Sequence, residues 1–237
     1  MTASLYPADF YQNRRAHTAH AARRILGALP PALPRRTIAD IGCGTGTWLA
    51  AALQQGAETA FGIEGDWVTP AMLDDPRITF APQDLEQPFT GPRADLALSL
   101  EVAEHLSPAR AASFVADLVA LAPAILFSAA IPGQGGVGHL NEQWHSWWAA
   151  LFAGHGYRAY DVIRPTIWTD EAIPAWYRQN AVLYLAQPLP GLTPTEPALL
   201  DRVHPAFWAR ANRELAYANA LPESEVLKRQ AEGARQP

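Results

Sequence analysis

Three observations predict an α/β fold with a doubly wound, mostly parallel sheet and helices on both faces. Short apolar runs at 37–41, 59–64, 78–81, 94–100 and 124–130 alternate with helix-length segments, the pattern of parallel strands joined by right-handed crossovers. The run at 94–100 (ADLALSL) is almost wholly apolar, as a strand covered on both faces should be. The first run, TIADI, breaks into Gly42-Cys43-Gly44-Thr45-Gly46 and resumes as a helix from Thr47. Glycine there admits positive φ and lets a ligand approach the backbone, and the helix that follows points unpaired N–H groups at it.

Composition narrows the class of partner. The 237 residues suit one α/β domain with some decoration, and 49% hydrophobic residues is ordinary for a packed globule. Eighteen basic against 23 acidic residues give a net charge of −5 with no basic stripe, so nucleic acid is not expected as a partner. The single cysteine, Cys43, excludes a disulfide framework and fits a reducing compartment. Neither a long apolar run nor a signal-peptide pattern is read. The expectation is a cytoplasmic protein, monomer or homodimer, without a membrane partner.

In chain order, 8–29 has helical apolar spacing and ends at Gly27 and Pro30-Pro31; its Tyr11, Arg14, Arg15 and His17 form a basic face. Helix 47–53 follows the glycine turn. Residues 108–121 open on a proline and place Phe114, Val115, Leu118 and Leu121 on one face. Beyond the fifth strand comes a glycine-rich loop, PGQGGVGHLNEQ, at the sheet edge where open α/β folds bind ligands. A Trp-rich helix is expected at 143–153, and strands at 157–163 and 181–186. Between those strands lies a 17-residue aromatic insert, RPTIWTDEAIPAWYRQN, of a length that is usually functional. The organisation expected is a single domain: leading helix 1–35, core 36–187, acceptor-side loops 131–145 and 164–180, and a Pro-containing tail 188–237 with a polar helix around 210–231.

Two acids locate polar parts of the ligand. Glu64, 24 residues after Asp40 and ending the second strand, is placed to accept both hydroxyls of a ribose. Asp84, just past the third strand, can accept an exocyclic amino group. A dinucleotide loop would read G-x-G-x-x-G, but Thr47 stands where the third glycine would fall.

These segments, ADIGCGTG at 39–46, FGIEGD at 61–66, QDLEQPF at 83–89 and SLEVAEHL at 99–106, resemble those of class I S-adenosylmethionine-dependent methyltransferases acting on small molecules. The resemblance implies a Rossmann-like sheet of seven strands with the last antiparallel. It also implies S-adenosylmethionine (SAM) as cofactor. Asp40, Gly42, Cys43, Gly44 and Gly46 would hold its methionine part, Glu64 the ribose, Asp84 with the Leu85 backbone the adenine, and Glu101 the wall beside the methyl group. His105 falls at a position commonly filled by histidine regardless of substrate.

The acceptor is expected to be a small molecule, methylated at a sugar or secondary-metabolite hydroxyl; an amine acceptor or a non-catalytic donor-binding module are the alternatives. Oxygen acceptors usually need a base, and histidine suits that work near neutrality. His139 is the expected catalytic base. Asn141, Glu142, Trp144, Trp176, Tyr177 and Arg178 offer hydrogen bonds and aromatic faces for the acceptor. With neither CxxC nor HExxH spacing and no convincing carboxylate pair, no metal is expected.

Overall fold

The computed structural model describes the backbone of residues 8–220 and the side chains of 17–213. It divides into two compact units, 1–202 and 203–237. The second contains, among its described residues, one helix, α7 (Pro205–Ala220). The expected polar helix beyond residue 220, and the side chains of Tyr11, Arg14 and Arg15, lie outside the described residues.

The first unit is built on seven strands: β1 (Thr37–Ile41), β2 (Thr59–Glu64), β3 (Thr79–Pro82), β4 (Leu96–Leu100), β5 (Ala124–Ser128), β6 (Arg158–Tyr160) and β7 (Val182–Leu185). Their order is β3-β2-β1-β4-β5-β7-β6. The pairs among β1 to β5 are parallel, and β7 runs antiparallel to both β5 and β6, as the methyltransferase resemblance implied. The helices are α1 (Ala8–Gly27), α2 (Thr47–Gln54), α3 (Ala111–Leu121), α4 (His145–Gly154), α5 (Arg164–Ile167) and α6 (Ala175–Asn180). No described helix is long and apolar enough to cross a membrane.

Both faces of the sheet are buried, and the strands show it at period two. On one face Ile38, Leu98, Leu126 and Leu183 pack with α1 and α2; on the other Ala39, Ile41, Phe127 and Tyr184 pack with α3 and α4. Phe127 sits at the centre of the second layer, its ring 5.0 Å from Trp148 and 5.4 Å from Phe152. Truncating such a residue to alanine costs about 3–5 kcal/mol.

Boundaries shift for local reasons. The fourth strand begins at Leu96 rather than 94, because the Asp95 carboxylate accepts from Arg36 N and Thr37 N at 2.8 and 3.0 Å and ties the entrances of β1 and β4 together. Pro108–Arg110 forms a 3-10 turn before α3. The expected strand at 157–163 pairs over Arg158–Tyr160 alone. The 17-residue insert folds as α5 and α6, anchored by fully buried Arg164. That guanidinium makes two bonds to Asp161, at 2.7 and 2.8 Å, and donates to Leu200 O and Gln179 O.

This topology positions the site. The order reverses between β1 and β4, and ligands bind outside the carboxyl ends of strands at such a point. The segments after β1 to β5 therefore gather on one edge. Because β7 is antiparallel, its first residue pairs with Phe127 near the carboxyl end of β5, so α6, which leads into it, comes to the same edge.

Candidate active site

The glycine turn is shaped from both sides. Gly42 N and Cys43 N both donate to Ile63 O, at 2.8 and 3.1 Å, so the turn is bonded to the end of β2. Gly42 has φ +82°, and a Cβ there would lie 2.3 Å from Val102 Cγ2. Gly46, at φ +79°, would meet Ile78 Cδ1 at 2.7 Å. Both positions thus need glycine for conformation and for space. Cys43 is buried, and burial raises its thiol above the ordinary value, with the Asp40 and Glu64 charges adding to the effect.

Asp40 lies on β1 below the turn. It is buried and its Oδ2 has no hydrogen-bond partner. Burial, helped by the Glu64 charge, pushes its pKa up to about 8. Glu64 bridges the turn and the end of β2: Oε2 accepts from Gly44 N at 3.0 Å and Oε1 from Gly65 N at 2.9 Å. Burial raises its pKa, and those two N–H groups oppose the rise. Asp84 is exposed beyond β3, its Oδ1 accepting from Glu86 N, and Leu85 beside it is buried.

Glu101 caps β4 at φ +58°, the one positive-φ residue other than glycine among the described residues. Such strain persists where the surroundings fix it, and here they do. Its N donates to Ser128 O and Ser128 Oγ. Asn180 Nδ2 donates to Oε1 at 3.0 Å and Gln134 Nε2 to Oε2 at 3.3 Å. Gln134 Oε1 accepts in turn from Gln179 and Asn180. A buried amide network thus joins β4, the loop after β5, and α6. The sequence reading did not single it out, because its members lie up to 79 positions apart.

The loop after β5 folds back over the 3-10 turn Ala103–His105, with Leu140 N and Asn141 N both donating to Glu104 O. Its ordering group is Glu142, which accepts from Gly133 N at 2.8 Å, from Gly135 N at 2.9 Å, and lies 2.8 Å from His139 Nδ1. The His139 and His105 rings meet edge to face with centroids 4.9 Å apart. His105 Nδ1 lies 3.2 Å from Gly138 O. Burial, with His139 beside it, lowers the His105 pKa.

The six residues expected to contact the acceptor fall into two groups. Asn141, Tyr177 and Arg178 are buried: Asn141 Oδ1 accepts from Gln143, Tyr177 packs edge-on against Trp48 on the donor side, and Arg178 Nη1 donates to Trp168 O. Trp144 is 39% exposed and Trp176 partly buried, while Glu142 is committed to the loop and to His139. Sequence reasoning missed Glu104. One of its carboxylate oxygens lies within 4.8 Å of a nitrogen of His105 and of one of His139, and the signal available was the EVAEH segment read together with the later histidine.

A glycine turn bonded to an acid-ended second strand, at the switch point of a 3-2-1-4-5-7-6 sheet, defines a donor-binding site of the class I methyltransferase type. The chain belongs to the methyltransferase-domain family, the SAM-dependent transferases of this fold, whose profile matches residues 11–162. Among solved structures it is similar to magnesium protoporphyrin IX methyltransferase from Synechocystis PCC 6803 with SAM bound (18% identity, 77% of this chain and 86% of that one, TM-score 0.53). It is also similar to human N-acetylserotonin methyltransferase in complex with SAM (14%, 77% and 61%, TM-score 0.52) and to CalO1, a methyltransferase in calicheamicin biosynthesis, in its S-adenosylhomocysteine-bound form (16%, 72% and 55%, TM-score 0.50). Among curated proteins none matches the chain in sequence. The residues fit the donor: Asp40 offers a buried, unpartnered carboxylate oxygen beneath a turn whose backbone is held at positive φ by Gly42 and Gly46.

Proposed function

We propose that this methyltransferase acts on a hydroxyl oxygen of a small molecule, of the sugar or secondary-metabolite kind, with His139 as the base. The observation that carries the reading is the His139–Glu142 contact of 2.8 Å, with Glu142 itself held by two backbone N–H groups. A carboxylate at Nδ1 fixes the ring and its tautomer and leaves Nε2 to take a proton.

In this reading Asp40 accepts the donor's ammonium group, Glu64 keeps lone pairs for the ribose hydroxyls, and Asp84 with the Leu85 backbone holds the adenine. SAM, when bound, supplies a methyl group on a positively charged sulfur. Glu101, fixed by Asn180 and Gln134, forms the wall beside the reacting centre. Trp144 and Trp176 offer aromatic faces to a ring, and the loop carrying His139 helps exclude water, which in-line transfer to a weak nucleophile requires.

The test is a panel of hydroxylated small molecules with detection of S-adenosylhomocysteine and mass analysis of the product. His139→Ala is expected to lower turnover by about 10²–10⁴-fold with donor affinity unchanged by calorimetry. Full turnover in that variant would remove the base assignment and favour an amine acceptor, which needs less help in losing a proton.

A further inference from the structure

Glu104 is a buried acid whose carboxylate makes no ion pair among the described residues. Its side chain is fully buried, and neither carboxylate oxygen has a well-formed hydrogen bond; the backbone N–H groups of Glu104 and Ala130 are near enough to offset burial in part. An ionised carboxylate in such a place needs a cation. Among the described residues no lysine or arginine is paired with it; the groups it meets are two imidazoles, one ligand atom from each of Glu104, His105 and His139 lying within 4.8 Å of the others.

We propose that Glu104, His105 and His139 bind a divalent transition-metal cation, of the zinc or manganese type, at the acceptor edge of the donor site. One carboxylate and two imidazoles form a donor set that takes such ions and leaves coordination positions open. Ligands about 2.0–2.2 Å from a metal stand roughly 3–3.5 Å apart, so small side-chain rotations bring this cluster to coordinating distance.

The surroundings support it. Metal-bound histidines characteristically give their second nitrogen to an oxygen acceptor, and both do so here: Nδ1 of His139 faces Glu142 Oε1 and Nδ1 of His105 faces Gly138 O. That directs the lone pair of each ring to Nε2. Gly136 lets the His139 ring pack against the loop, since a Cβ there would lie 2.1 Å from Nε2. The two rings are partly exposed while Glu104 is not, so the open positions face the side from which an acceptor enters.

This inference rests on the assignment of the acceptor edge under the proposed function, and it changes how that edge works. A cation with open positions takes the acceptor hydroxyl as a ligand and lowers its pKa. His139 then acts as a ligand, the proton of the metal-bound hydroxyl passes to solvent water as the acceptor binds, and the oxygen takes the methyl group as the bond between that group and the donor sulfur breaks.

The test uses the full chain, stripped with EDTA and dialysed, then titrated calorimetrically with Zn²⁺ and separately with Mn²⁺, without donor or acceptor. One equivalent of at least one cation is expected to bind at about 1 µM or tighter. Glu104→Gln and His105→Asn should each weaken it by about tenfold or more, with circular dichroism and SAM binding confirming that the variants are folded. His155→Ala, at an exposed histidine, should bind as the wild type does. No binding of either cation to folded wild type, or equal binding in both ligand variants, overturns the inference. Turnover that survives EDTA and falls in His139→Ala would leave the base reading standing without the metal. Metal binding with no methylated product across the hydroxyl panel would keep the site and remove the proposed acceptor class.

Discussion

Acid should destabilise this chain through His145. The residue opens α4, is 2% exposed, and has no well-formed hydrogen bond at either ring nitrogen. Burial, then the nearby Arg164 charge, lower its pKa from 6.5 to about 3, against a small opposing contribution from the Asn180 side chain. The folded pKa is depressed, so the unfolded chain takes up a proton near pH 6.5 that the folded chain refuses. The stability at stake is fully present above about pH 6.5 and is lost as pH falls toward about 3. The slope in that window is about 1.4 kcal/mol per pH unit, which amounts to about 2 kcal/mol by pH 5. Asp40, whose folded pKa is raised to about 8, works in the opposite sense: its neutral form favours folding at low pH, and that contribution is lost as pH rises through about 8. The two are separated by difference. Urea unfolding of wild type and His145→Phe at pH 7, 6 and 5 should show the variant gaining about 2 kcal/mol on wild type across the interval, whatever the offset at pH 7. Parallel pH profiles would refute the assignment.

Asp40→Asn should weaken SAM binding by about tenfold to a hundredfold, the scale of a lost charge-assisted hydrogen bond. In wild type the affinity should rise with pH up to about 8, because a cationic partner favours the ionised carboxylate; calorimetry across pH checks both, and the variant should lose that slope. Gly42→Ala should abolish SAM binding and lower stability by about 1–3 kcal/mol, from positive φ and a Cβ placed against Val102. Adding Val102→Ala should recover part of the stability in urea unfolding, since it relieves the clash and not the backbone strain. Gly136→Ala should displace the His139 ring and lower turnover at least tenfold, the scale of a misplaced catalytic group, while SAM affinity and urea midpoint stay near wild type.

The residues proposed for the donor could be placed from the sequence because each lies at or just past the end of a strand. Once β1 is recognised from TIADI, the parallel register aligns Asp40 with Gly62 and sets Glu64 beside Pro82, so the ends of consecutive strands carry consecutive ligand groups. Helix and strand edges were less legible, since they answer to single tertiary contacts. Asp95 turns back to the backbone of β1, and the aromatic insert reads as a loop until Arg164 is seen to hold it from inside.

The acceptor half has no such local rule. Asn141 and Arg178, polar residues in a glycine-rich loop and an aromatic insert, read as ligand contacts, yet both are buried and their hydrogen bonds run into the fold. The reason lies in Glu101. A non-glycine residue at φ +58° must be held in place, and the groups that hold its partly buried carboxylate come from the loop after β5 and from α6. Those amides are held on Glu101, while Asn141 Nδ2 and Arg178 Nε have no well-formed hydrogen bond. At the same edge stand Glu104 and the two histidines. They are neighbours because Leu140 N and Asn141 N bond to the carbonyl of Glu104, a backbone contact that no side-chain pattern encodes and that brings a histidine 34 positions later in the chain to the turn at His105.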